Sequence, residues 1–458
     1  MNDMTDIQAE PAAALDPVCG FVLGLRADDI PVEVKDRAAL LLLDTIGVCA
    51  ASAPMRAGVL GRQAALRLYG ATDPAFSARM LFDGRQVSLA GAVFAAATQT
   101  DNLDAHDGFN PVKGHIGVVT VPTLAALAQQ DAVLSGPDAL AHLIVGYEVA
   151  GRAGQALHAT VADYHTSGAW NALGVTAMAA RMRGHDAATL REGLGIAEYH
   201  GPRSQMMREI ATPTMLHDGS GWGALAGMTA AVMAEEGFTG APAITVEGRK
   251  ASAFWADLGT VWQTQSQYIK PYPVCRWAHA AIDAAREVQI AHDFAHAEIA
   301  EITVRSFRNA TALYPHMPAT TSQAQYSLPF AVAAMLVHGR IGLAQIEGAG
   351  LSDGDVAALV ARTRIVATDE HEALFPAHRS ADVTITLKDG RQFHSGLTHA
   401  RGGNERPFGR DDIVTKFHDL AGPVLGAARA GAIADAALGL TGATSRFADL
   451  NRLLTDPV

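Results

Sequence analysis

The chain has 458 residues, 49% of them hydrophobic and 18% charged, which excludes a disordered chain and suits two or three domains' worth of buried structure. Its net charge is −12 and no run of Lys or Arg forms a basic stripe, so nucleic acid is not an expected partner. The three cysteines, Cys19, Cys49 and Cys275, are widely spaced and form no CxxC, which argues against a disulfide framework or a thiolate zinc site and for a reducing compartment.

The first residues, MNDMTDIQAEPAA, are acidic and lack the basic start and apolar run of a secretion signal. Residues 1–14 are expected to be a flexible tail. No uncharged apolar stretch reaches membrane-spanning length, so no membrane partner and a cytoplasmic location are expected.

From about 30 to 268 the pattern predicts helix after helix. KDRAALLLLDTIGVCAAS is apolar nearly all round and reads as a buried core helix. VSLAGAVFAAATQT, TVPTLAALAQQ, DALAHLIVGYEVAGRAGQAL, NALGVTAMAARMRG and GALAGMTAAVMAEEG share that character, and their small residues permit close helix packing. Gly and Pro clusters such as PVKG, SGPD and HDGSG punctuate them. Near 270 the texture changes. IAEITVRSF, RIVAT and ADVTITL alternate and are β-branched, and Asp389–Gly390 supplies a hairpin turn before RQFHSGLTH. Helical segments return with DDIVTKFHDLA and GAIADAALGL. The expected fold is mainly α. Residues 15–268 and 403–458 form one large all-helical domain from both ends of the chain, and 269–402 is an inserted α+β lid domain. The groove between the two is a natural ligand site.

Four segments carry candidate chemistry. DNLDAHDGFNPVKGHIG places Asp104, His106, Asp107, Lys113 and His115 in a Gly/Pro-rich loop between apolar helices, where a His among carboxylates suits acid–base work. The bland alternative is a solvated polar loop. Asp104, His106 and His115 are also metal-ligand types, but their spacing matches no zinc or iron pattern, so no metal is expected. DYHTSGAWNALG sets Tyr164 and His165 before a helix whose free N–H groups suit a carboxylate, or which is simply capped. In REIATPTMLHDGSGWGALAG, Arg208 and His217 flank a turn into a Gly/Ala-rich helix. In YIKPYPVCRWAHAA, Lys270, Cys275, Arg276 and His279 mark the change of domain, where a lysine can take a carboxylate or be a solvated hinge residue. No phosphate loop, dinucleotide loop or strand-preceded serine elbow is present.

In this order the segments resemble the MmgE/PrpD family over nearly the whole chain. LLLDTIGVCAAS resembles its first long helix, and DNLDAHDGFNPVKGHIGVVTVPTLAAL its acidic loop. YHTSGAWNALGVTAMAARMRG, MLHDGSGWGALAG, IKPYPVCRWAHAAIDAA, QYSLPFAVAAMLVHGRI and the closing LKDGRQF…KF follow in family order. The resemblance implies a helical domain with an inserted lid, a homodimer, and an interdomain site needing no metal or organic cofactor. It places Asp104, His115, His165 and Lys270 in that site, with Cys275 and His279 in the lid's matching segment. Departures from the family pattern are His106–Asp107 in place of an acidic pair, Ile116–Gly117 after His115 in place of Pro-Ser, the added Lys113, and Thr214 where many members have a lysine.

The implied chemistry is proton removal beside a carboxylate. The leading expectation is a lyase of the dehydratase type acting on a citrate-like di- or tricarboxylate. His165 or Asp104 would be the base, and His115 or His106 the acid. Lys270, Lys113 and Arg208 would clamp carboxylates, with Tyr164, His217, Cys275 and His279 as further binding residues. The alternatives are an epimerase or racemase, a decarboxylase, and a carboxylate-binding protein without catalysis, which the loss of the lysine at Thr214 would suit.

Overall fold

A computed structural model describes residues 15–215 and 217–458; the expected tail, 1–14, lies outside the described residues. The first long helix, Val32–Ser52, is buried continuously from Leu41 to Ser52, as its unbroken apolar run requires. Around it stand Leu89–Asp101, Gly117–Leu127 and Gly136–Thr160, with Gly168–Arg183 and Ser220–Glu235 packed beyond them, all apolar on most sides. Such helices bury themselves against one another rather than against solvent. Their small residues set the spacing. A Cβ on Gly227 would lie 2.3 Å from the Ala172 carbonyl oxygen, so Ser220–Glu235 sits backbone-close to Gly168–Arg183.

The C-terminal helices Arg410–Leu425, Ala427–Leu438 and Phe447–Thr455 share this core. Gly47 makes the return possible, because a Cβ there would lie 2.8 Å from the Phe417 ring. Lys416 crosses the same contact. Its Nζ lies 2.6 Å from Asp44 Oδ1 and donates to the Ala105 carbonyl at 2.6 Å, so the last part of the chain grips the 101–117 loop. Removing one partner of a buried ion pair strands the other charge. Lys416→Met is therefore expected to cost about 3 kcal/mol in urea unfolding, with much of the loss recovered in the Asp44→Asn/Lys416→Met double variant. Additive losses would show that the two side chains act independently.

Between these parts lies a second core with a five-stranded sheet. Ile299–Ser306 pairs parallel with Thr363–Ala367 and antiparallel with Ser380–Leu387, in register Val304↔Val383 and Ile302↔Ile385. Gln392–His394 and Thr398–His399 complete it along Ser380–Leu387. These strands coincide with the β-branched runs, and Gly390 takes the positive φ, 90°, of the expected hairpin turn. Helices Arg276–His292 and Leu328–His338 belong to the same core.

Two pairings inside the helical stretch were not foreseen: the hairpin of Ser77–Arg79 with Gln86–Ser88, and one that bears on the site. Gly108–Phe109 forms a two-residue antiparallel ladder with Gln267–Tyr268. Gly108 is required there, since a Cβ would collide with the Tyr268 ring at 2.3 Å. The ladder lays the 101–117 loop against the segment that leads to Lys270. Among the described residues, no single helix is long and apolar enough to cross a membrane.

Candidate active site

The 101–117 loop is buried almost throughout and tied on several sides. Asp107 is a structural residue. Its Oδ1 accepts from the Gly117 N–H at 3.0 Å, at the start of the Gly117–Leu127 helix, and its Oδ2 accepts from the Tyr147 hydroxyl at 2.7 Å. Burial raises its carboxyl to about 7. Gln325 donates to the Asn102 carbonyl at 2.9 Å, which fastens the loop to the second core.

His115 is held at three points. Its N–H donates to Ser167 Oγ at 3.0 Å, and its carbonyl accepts from Asn171 Nδ2 at 3.0 Å. Its ring Nδ1 lies 2.5 Å from the Asp107 carbonyl oxygen. A carbonyl only accepts, so Nδ1 carries the hydrogen and the Nε2 lone pair points away. Nε2 lies 3.3 Å from Asp218 Oδ2. Burial pushes His115 down to about 3, assisted by the charge of Lys270. Burial, with Asp104 nearby, raises Asp218 to about 7. A protonated Asp218 faces the Nε2 lone pair across this distance.

Asp104 adopts a left-handed backbone, φ 55°, which turns its carboxylate toward Lys270. It forms a buried ion pair with Lys270 through Oδ1, while Oδ2 has no hydrogen-bond partner. Burial raises its pKa and Lys270 opposes the rise, so this carboxylate is more basic than an exposed one.

These groups meet in one cavity, lined also by Lys113, Tyr164, Cys275, Arg276, Tyr326 and Arg379. Lys113 lies 4.3 Å above the Tyr164 ring, and the Tyr164 hydroxyl donates to the Lys113 carbonyl. Arg276 stacks on Tyr268 at 4.5 Å and donates to the Arg401 carbonyl at 2.6 Å. The Nε atoms of Arg276 and Arg379 are buried without hydrogen-bond partners. Burial raises the Cys275 thiol to about 12, which keeps it neutral. Free space for a water-sized sphere amounts to about 20 Å³, enough for roughly one water.

The structure thus brings together Asp104, His115, Lys113, Tyr164, Lys270 and Cys275 of the expected site. The other expected residues are placed differently. His106 is buried behind His115, ring to ring at 4.4 Å, with Nε2 3.6 Å from Asp101. His165 is buried one residue beyond Tyr164 but does not line the cavity, because its neighbour's side chain takes that place. His217 packs edge-on to Tyr326 at 5.3 Å, outside the lining. His279 is consumed within its helix start, with Nε2 2.9 Å from the Val274 carbonyl and Nδ1 3.5 Å from Arg276. Arg208 and Thr214 line a separate, larger groove of about 1230 Å³ together with Trp222 and Phe238.

Asp218, Tyr326 and Arg379 were not expected in the site. Asp218 stood beside His217 in the HDGSG turn. Its positive φ, 37°, sends it, and not the histidine, to His115. Arg379 gives no local signal, because it arrives through sheet pairing far along the chain.

One ring nitrogen each of His106 and His115 and an Asp218 oxygen lie within 4.8 Å of one another, the arrangement a metal ion would need. The ligand set expected from sequence differs, since Asp104 is turned toward Lys270 instead. Lys270, Arg276 and Arg379 all act on His115 as positive neighbours, which opposes a dication at that point. Dialysis against a strong chelator is therefore expected to leave kcat within about twofold. Loss of turnover restored by one divalent ion would make the histidine pair a metal site.

The MmgE/PrpD N-terminal domain matches residues 17–260 and the MmgE/PrpD C-terminal domain matches 272–440. The chain belongs to the MmgE/PrpD family. It is 24% identical over 486 residues to the cis-aconitate decarboxylase-like protein oryM of Aspergillus oryzae, with 95% of each chain covered. The cis-aconitate decarboxylase of Aspergillus terreus is 24% identical over 480 residues, covering 95% of this chain and 94% of that one. The human cis-aconitate decarboxylase is 25% identical over 362 residues, 73% of each chain.

Proposed function

We propose that this protein is a lyase moving a proton next to a carboxylate of a small di- or tricarboxylate. The observation that carries the reading is the His115–Asp218 pair, 3.3 Å apart, placed in one cavity with Asp104 and with Lys113, Lys270, Arg276 and Arg379. The cations suit the substrate's carboxylates, and the unpartnered Nε atoms of Arg276 and Arg379 are donors with no other use. Asp104, with its free Oδ2, is the base in place of His165. In a dehydration it takes the proton from carbon, the electron pair passes into the adjacent carboxylate, and the arginines stabilise that charge. The departing hydroxide takes the proton held by His115 and Asp218.

A decarboxylation is the second reading, favoured by the relatives named cis-aconitate decarboxylase. There the electron pair of the broken carbon–carbon bond stays on carbon, and the same His115–Asp218 proton quenches it. In either case the cavity must open to admit substrate. The segment 269–402 is the proposed lid, since Lys270, Arg276 and Arg379 all come from it. A homodimer would cover the groove that exposes Trp222 and Phe238.

The test is incubation of the protein in D₂O with hydroxy-di- and tricarboxylates and with cis-aconitate, followed by NMR. Deuterium beside a carboxylate with loss of water identifies a dehydratase, and carbon dioxide release a decarboxylase. Exchange with an intact skeleton would make it an epimerase. Thermal stabilisation by ligand without exchange would make it a binding protein. Arg379→Ala is expected to raise KM about tenfold or more with a smaller effect on kcat, as removal of a carboxylate clamp should. An unchanged KM would take Arg379 out of substrate binding.

A further inference from the structure

On the second core, beside the strand edge that carries Arg379, two histidines and a glutamate converge. One ring nitrogen each of His378 and His399 and a carboxylate oxygen of Glu405 lie within 4.8 Å of one another. His378 Nδ1 is hydrogen-bonded to Glu405 Oε1, and the two rings stand 5.6 Å apart. His399 Nδ1 is buried with no hydrogen-bond partner among the described residues. The three come from separate stretches fixed by backbone pairing. His399 is paired with Ser380, the Ala400 N–H donates to the Arg379 carbonyl at 3.2 Å, and the Gly402 N–H donates to the Arg406 carbonyl at 2.7 Å across the Glu405 turn. The cluster is reachable from solvent, with the His378 side chain 43% exposed and that of Glu405 22%.

We propose that His378, His399 and Glu405 bind a divalent transition metal of the zinc class. Two imidazoles and one carboxylate leave a tetrahedral ion one open position, and nitrogen ligands favour zinc over magnesium or calcium. A simple His–Glu hydrogen bond accounts for His378 and Glu405 but leaves His399 Nδ1 without a role. The ligands bracket Arg379, so an ion here would stiffen the strand edge that carries this arginine into the cavity.

The test uses tag-free protein stripped by chelator and then titrated with Zn²⁺ by calorimetry. One equivalent should bind to the natural protein, and the His378→Ala/His399→Ala double variant should lose it. Both residues are partly exposed, so these variants are expected to fold, as a melting curve will show. Anomalous scattering from zinc-soaked crystals of the natural protein gives a second measurement that needs no variant. A peak among the three side chains supports the site. No binding, binding unchanged in the double variant, or a peak at His106 and His115 overturns it.

Discussion

Replacing Asp218 by asparagine is expected to lower kcat by about 10²–10⁴-fold with a much smaller change in KM, and His115→Ala should do the same. The geometry makes the two residues one unit. His115 Nδ1 is committed to the Asp107 carbonyl, so only Nε2 can exchange a proton, and its partner is Asp218 at 3.3 Å. Residues acting as a unit are not additive, so the double variant should be little slower than either single one. The pH dependence follows from the same pair. Asp218 is raised to about 7 by burial, so its carboxyl proton is present below that value and lost above it. As an acid, the pair should give a kcat/KM that falls as the pH rises through about 7, and Asp218→Asn should remove that limb. A rate that rises through the same range would make the pair the base and exchange its role with Asp104. Near-natural kinetics for both variants would remove this cavity as the active site.

The second large effect is expected at Lys270. The side chain is fully buried against Asp104, so Lys270→Ala strands a carboxylate rather than merely deleting a clamp. The loss of stability is expected to be about 3–5 kcal/mol. Its pH dependence has a definite sign. Without Lys270, burial alone acts on Asp104 and holds its folded-state pKa further above the unfolded value. A raised folded pKa contributes stability that is complete below the unfolded pKa and is lost as the pH rises through the folded one. The variant should therefore be relatively more stable at pH 5 than at pH 8, and Asp104→Asn in the same chain should recover much of the loss. Turnover should fall as well, since Asp104 would then be protonated. Arginine at 270 should rescue poorly, because its planar fork cannot replace a point-like ammonium in a closed site. A Lys270→Ala protein of natural stability would mean that Lys270 and Asp104 are solvated, as the hinge alternative holds.

The sequence by itself determined the order of elements and much of the acid–base inventory. Long apolar runs with small residues can only be buried helices, so Val32–Ser52 and its neighbours were legible, and strict alternation marked Ile299–Ser306 and Ser380–Leu387 as strands. The density of charge between apolar helices singled out the loop holding Asp104 and His115. Which histidine faces the cavity was decided only in three dimensions. Residue type and segment alone made His106 and His165 catalytic candidates beside His115, and His217 and His279 binding candidates, because a ring's direction depends on the backbone beneath it. The positive φ of Asp104 and Asp218 turns those carboxylates into the cavity, while His217, one residue away, faces Tyr326. Arg379 and Tyr326 reach the site through contacts between segments more than a hundred residues apart in the chain, and no local pattern records such contacts. The same holds for Lys416, which the close approach at Gly47 carries to Asp44 and Ala105. Periodicity encodes which face of an element is buried. The partner that covers that face, and the charges that meet there, are set by the packing of the whole chain.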